Sequence, residues 1–228
     1  MIFDGHSDIF SDVRYKREAG ETQVLKNHHL DRLRKGGIGG ACFVIWADTY
    51  NGHAPKDEME AIVKGIKGEM AETKEFVLIH NVEELKAAEA AGKFAILLGI
   101  EGLAGIGEDL SKIDELYDLG ARHAMLTWNE ENALATGVKG DPNRGVTELG
   151  KQAIKKLQEK KMILDVSHIN EKSFWDVIDL AIGPILASHS NAKALASAAR
   201  NLTDDQLRAR CLPDGQHPAL PCWAECLR

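Results

Sequence analysis

Short apolar runs alternate with longer amphipathic segments along nearly the whole of this 228-residue chain. That alternation narrows the fold to a parallel α/β type. Gly40–Trp46 reads GACFVIW, an unbroken apolar run of the kind expected when both faces of a strand are covered. Five more strands are expected: one opening at Ile2–Phe3 and ending at His6–Asp8, then Phe94–Ile100 (FAILLGI), His123–Thr127 (HAMLT), Met162–Val166 (MILDV) and Ile185–Ala187, while Phe76–Ile79 is either a minor strand or a turn. Between them, Lys56–Lys74 sets Met59, Ile62, Val63, Ile66 and Met70 at helical spacing. Val82–Ala91 stops at Gly92, a Ser111-capped helix stops at Gly120, and Thr147–Lys160 and Asn170-capped Glu171–Ala181 are also helical. An Ala-rich helix over Asn191–Ala199 and one starting at Thr203 complete the series. Strand–helix repetition demands right-handed crossovers. A closed (β/α)8 barrel has eight strands in about 250 residues. The expectation is therefore an α/β fold of the TIM-barrel type, incomplete, with about six βα units.

A hydrophobic content of 44% is enough for one sizeable core. The net charge of −7 and the lack of a basic block argue against a nucleic-acid partner. MIFDGHSDIF has no basic stretch leading into an apolar one, and no apolar run approaches the roughly 20 residues of a membrane span. No membrane partner and a cytoplasmic location are expected. Cys42 reads as a small buried hydrophobe, and a reduced compartment argues against a disulfide framework. The last stretch, residues 211–228, holds three of the four cysteines and three of the six prolines without apolar periodicity. It is expected to be an out-of-frame tail after a domain spanning 1–210. A zinc knuckle from Cys211, His217, Cys222 and Cys226 is the lesser alternative, because its spacing fits no common finger.

Five residues carry the chemistry: His6 and Asp8 in DGHSD, Glu101 after FAILLGI, His168 in LDVSH and His189 in LASHS. Each closes an apolar run, and barrel enzymes build their sites at the C-terminal ends of strands. On an extended chain His6 and Asp8 face the same way. A carboxylate directly after an apolar strand is costly to bury unless paired or metal-bound, and its two oxygens can bridge two cations. Neutral imidazoles suit zinc-like ions. Taken singly, each has a plain reading: a solvated histidine, a turn-capping aspartate, a glutamate opening a loop. Together they suggest two divalent metals sharing one carboxylate. The remaining histidines look bland. His28 and His29 precede the amphipathic helix LDRLRKGG and are solvated or supporting, His53 lies in a polar loop, His80 ends the minor run, and His123 starts a strand on the wrong face for catalysis.

DGHSD, GIEG, LTWNEENALATG, DVSH, and SHS followed by Arg200 eleven residues after His189 resemble the membrane (renal) dipeptidase family, dizinc metallopeptidases on a TIM barrel. The likeness runs from about Phe3 to Arg208. It implies that His6 and Asp8 bind one zinc, that Glu101 bridges both, and that His168 and His189 bind the second. It also implies that Arg200 holds the substrate carboxylate, with Trp128 and Asn129 of LTWN in the substrate-binding set. A dipeptide substrate, tolerance of a D-residue at its C-terminal position and, in some members, a homodimer follow from the same likeness. The chain departs from the family twice. Some members carry a histidine where Trp128 stands, and Trp128 cannot transfer a proton. A later aspartate assigned to proton transfer has no counterpart, since Asp214 and Glu225 lack its context. Weak activity is expected on that account. The rival readings are a non-catalytic barrel fragment and an amidohydrolase-like hydrolase of cyclic amides or lactones, which usually begins with H-x-H rather than H-x-D.

Overall fold

A computed structural model describes residues 1–47, 52–183 and 185–209. The tail 211–228, and with it the knuckle alternative, lies outside the described residues. Two compact units emerge. The first comprises Met1–Ile100 with Gly120–Arg122, and the second comprises Glu101–Leu119 with the described residues from His123 onward.

In the first unit, β1 (Ile2–Ser7) leads into α1 (Ile9–Glu18), and a π-helical turn, Leu25–Leu30, runs on into α2 (Asp31–Lys35). Then come β2 (Ile38–Trp46), α3 (Pro55–Glu72), β3 (Phe76–Leu78), α4 (Val82–Ala90) and β4 (Phe94–Glu101). The short Phe76 run is thus a strand, paired in parallel with β4, while β1 pairs in parallel with β2. All eight residues of β4 are buried, as its unbroken apolar sequence requires. The core is tied by rings: Phe43 packs on Phe10 and Phe94 at 5.5 Å each, and Phe76 on Phe94 at 5.1 Å. Against α3, α1 sets Arg14 3.3 Å from Glu58, a pair with both side chains buried.

The second unit holds α5 (Lys112–Leu119), α6 (Glu148–Glu159), β6 (Ile163–Asp165), α7 (Glu171–Leu180), β7 (Ile185–Leu186) and α8 (Asp204–Ala209). It also holds β5 (Ala121–Met125) from His123 on. β5, β6 and β7 form a parallel ladder. Thr147 Oγ1 accepts from Gly150 N at 3.0 Å and Asn170 Oδ1 from Ser173 N at 2.7 Å, so each side chain caps its helix. Among the described residues the strand order β1-β2-β4-β5-β6-β7, with β3 on β4, is that of an incomplete TIM-barrel type, with one strand beyond the six major ones expected.

Three expectations need correction. Asn191–Ala199 is not helical: its backbone turns back on itself through Lys193 N to Leu202 O at 2.7 Å and Leu202 N to Asn191 O at 2.9 Å. Alanine content alone cannot hold so short a helix, and this one buries no face, with Leu195 88% exposed. His28 and His29 precede α2 as expected but are themselves part of the π-helical turn that runs into it, and His29, expected as solvated or supporting, is buried with Nε2 2.8 Å from Asp12 Oδ2. β5 begins two residues earlier than expected, immediately after Gly120 closes α5, so His123 is mid-strand and fully buried. No helix of the described residues is long and apolar enough to cross a membrane.

Candidate metal centre

In the first unit, the β1–β2 register slips between Asp4 and Ser7, and such irregularities re-aim side chains at strand ends. His6 falls in that slip. Asp8 is no longer in the strand but stands immediately before α1, without a side-chain capping bond, and its Oδ1 lies 3.6 Å from His6 Nε2. The two groups do converge, through a strand-to-helix turn rather than through simple alternation.

In the second unit, Glu101 is the last residue of β4 and only 5% exposed. The chain leaves it through Gly102 at φ +83°, where a Cβ would stand 2.8 Å from Trp128 N, so glycine alone lets the two loops close on each other. His168 holds φ +72°, a left-handed conformation that a non-glycine residue keeps only when its surroundings impose it. Those surroundings are visible. Val138 N donates to His168 O at 2.9 Å, and Gly137 and Ile169 form an antiparallel bridge.

Three polar atoms crowd His168 Nε2: Glu101 Oε1 at 2.8 Å, His189 Nε2 at 2.7 Å and Arg200 Nη2 at 2.7 Å. His189 Nε2 is 3.5 Å from the same Glu101 oxygen. The outer ring nitrogens are committed elsewhere. His168 donates Nδ1–H to Asn129 Oδ1 at 2.9 Å, and His189 Nδ1 pairs with Ser188 Oγ at 2.7 Å. With Nδ1 protonated, a neutral His168 turns its Nε2 lone pair toward Glu101. A lone pair facing a carboxylate is repulsive unless a cation joins them, so this donor set fits a divalent metal. The Arg200 guanidinium supplies one such charge, and its Nη1 also donates to His189 O at 3.1 Å. Burial lowers the Arg200 pKa, while the charges of Glu101 and Asp165 oppose that fall. The Trp128 ring lies 6.0 Å from the His168 ring, with Lys139 Nζ 5.6 Å from its centroid.

Asn129 therefore touches a histidine of the expected metal set. Partners of this kind are worth about 10–100-fold in metal affinity. Replacing Asn129 with Leu, which fills the space but accepts nothing, is expected to weaken zinc binding by that factor in a competitive chelator titration. An unchanged affinity would show that His168 orients itself without Asn129.

Sequence reasoning passed over Asp165 and misread His123. Both side chains are fully buried, 2.8 Å apart. Burial alone would raise the Asp165 pKa, but hydrogen bonds from His123, Ser188 and Ser167 and the charge of His123 hold it far below the ordinary aspartate value. The available signal was a carboxylate inside the apolar run MILDV, which needs partners to stay there. Its partner, 42 residues away, left no local trace.

A parallel α/β chain that gathers a carboxylate and imidazoles at its strand ends has the make-up of a metallohydrolase. The chain belongs to the membrane dipeptidase family (peptidase family M19), whose profile matches residues 1–212. It is 30% identical over 239 aligned positions to an uncharacterized protein of Acinetobacter calcoaceticus, covering 91% of this chain and 76% of that one. Among solved structures, the metallopeptidase dipeptidase AC of family M19 has a TM-score of 0.81 at 26% identity, over 91% of this chain and 69% of its own. A metallopeptidase from Rhodobacter sphaeroides, liganded with a phosphinate mimic of the dipeptide L-Ala-D-Ala, gives the same score and identity over 91% and 70%.

Proposed function

We propose that this chain is a metal-dependent dipeptidase with a dinuclear zinc site, built on one domain over residues 1–210. In this reading His6 and Asp8 would hold one ion, His168 and His189 would hold the other, and Glu101 would be the carboxylate shared between them. The observation that carries it is the crowding of Glu101 Oε1 and His189 Nε2 on His168 Nε2, at 2.8 and 2.7 Å.

A divalent metal held by these residues would supply Lewis-acid chemistry, polarisation of a scissile carbonyl and a lowered pKa of bound water. The chain's own groups do the rest. Glu101, nearly excluded from solvent, sets its Oε1 beside the Nε2 atoms of both histidines. Asn129 and Ser188 hold the outer nitrogens of the two histidines, leaving each Nε2 directed inward. Arg200 remains a cation despite its burial and offers a fork of N–H donors that matches the C-terminal carboxylate of a dipeptide. Trp128 gives that substrate an apolar wall, and Asn129 is the polar group next to it. The dipeptide expectation, with a D-residue allowed at the C-terminal position, draws support from the phosphinate mimic bound by the Rhodobacter relative. The leaving amine needs a proton. Trp128 cannot give one. A cytoplasmic location and a homodimer belong to the same reading.

Ligand binding tests this function. Calorimetry with the L-Ala-D-Ala phosphinate mimic is expected to show binding that requires added zinc. Arg200→Met is expected to weaken that binding by about 2 kcal/mol or more, roughly 30-fold, as when one partner of a buried charge pair is removed. Zinc-independent binding, or an Arg200→Met variant that binds as tightly as the wild type, contradicts the assignment.

A further inference from the structure

His168 and His189 come from different strand exits, and the β6–β7 ladder stops short of both. Its pairs are Leu164 with Ile185 and Asp165 with Leu186, followed by one bond from Val166 N to Leu186 O at 2.8 Å. Past that point the spacing of the two histidines depends on something other than the sheet. A single carboxylate is placed to set it. Asp165 Oδ1 accepts from Ser167 N at 2.7 Å, and Oδ2 accepts from Ser188 N at 3.1 Å. Ser167 immediately precedes His168, and Ser188 immediately precedes His189. Ser167 Oγ then accepts from His189 N at 3.3 Å, closing the link between the two exits.

The third donor to this carboxylate is His123 Nε2, at 2.8 Å on Oδ2, from the middle of β5. An aliphatic pair would satisfy a core at these two positions with no desolvation cost. A buried carboxylate is tolerated here only because the three donors meet it.

We propose that Asp165 and His123 form a positioning pair that sets the spacing of His168 and His189, and through it the affinity and geometry of the metal these two hold. This inference rests on the dinuclear reading above.

The experiment is a titration of the purified 228-residue chain and its variants with Co2+, followed by visible absorption, with circular dichroism and thermal melting as controls for folding. The wild type is expected to take up two equivalents. Asp165→Asn turns an amide NH2 toward at least one of the three donors. It is expected to bind the first equivalent as the wild type does and the second 10–100-fold more weakly, with altered d–d bands. His123→Phe is expected to do the same, while His123→Gln, which still offers an N–H to the carboxylate, restores affinity and spectrum. The two His123 variants carry the test if Asp165→Asn does not fold. A second equivalent bound with wild-type affinity and spectrum by Asp165→Asn and His123→Phe, with only the melting temperature lowered, overturns the positioning role and leaves the dinuclear reading standing. A wild type that takes up less than one equivalent overturns both.

Discussion

Glu101→Gln is expected to weaken zinc binding by on the order of 10³-fold, about 4 kcal/mol, and to remove zinc-dependent binding of the phosphinate mimic with it. The change is nearly isosteric, so it isolates charge from packing. A carboxamide carries no negative charge and cannot bridge two cations through equivalent oxygens. It also leaves the Nε2 atoms of His168 and His189 with no anion between them and Arg200, the cation already beside His168. The fold should tolerate the substitution, because a neutral group at a site only 5% exposed costs less to bury than a charged one. Equilibrium dialysis with zinc, paired with calorimetry of the mimic, checks the result. Retention of both zinc and mimic at wild-type affinity would mean that Glu101 is a structural acid and that the metals, if present, sit elsewhere.

Asp165→Ala is expected to cost on the order of 3–5 kcal/mol of stability, since it strands His123 and two backbone N–H groups in a dry interior. In a domain of this size that corresponds to a fall in Tm of roughly 6–20 °C. The effect has a pH signature. The folded pKa of Asp165 lies below its unfolded value, so its contribution is fully present above the unfolded carboxylate range near ~4. It is lost as pH falls through the folded pKa. The Tm gap between wild type and Asp165→Ala is therefore expected to stay constant from neutral pH to about 5 and to narrow below about 4. Melts across pH 3 to 7 with chelator present, so that metal release does not confound the comparison, read this directly. A gap independent of pH would mean that Asp165 is not an ionised group in the folded chain.

The strands were legible because burial on both faces writes itself as an apolar run: FAILLGI became β4, buried at every position. The candidate ligands were legible for a related reason. A polar residue that closes such a run has few structural uses, and Glu101, His168 and His189 do meet around one nitrogen atom. Other features left weaker marks or none. The Asn191–Ala199 segment has helical composition, but composition does not report whether a face will be buried, and here none is. The left-handed backbone of His168 is imposed by a loop 30 residues upstream through Val138 N, and nothing in LDVSH announces it. The His123–Asp165 pair needed the parallel pairing of β5 with β6 to become visible, because that register brings Met125 beside Asp165 and His123 beside Ile163.

The proposed site would hold two metal ions through His6, Asp8, Glu101, His168 and His189. Elemental analysis of the purified 228-residue chain after zinc reconstitution and removal of excess metal tests it most directly. The account predicts close to two zinc ions per chain, falling to one or none in Glu101→Gln. Fewer than one ion per wild-type chain, or two ions retained in Glu101→Gln, would contradict it.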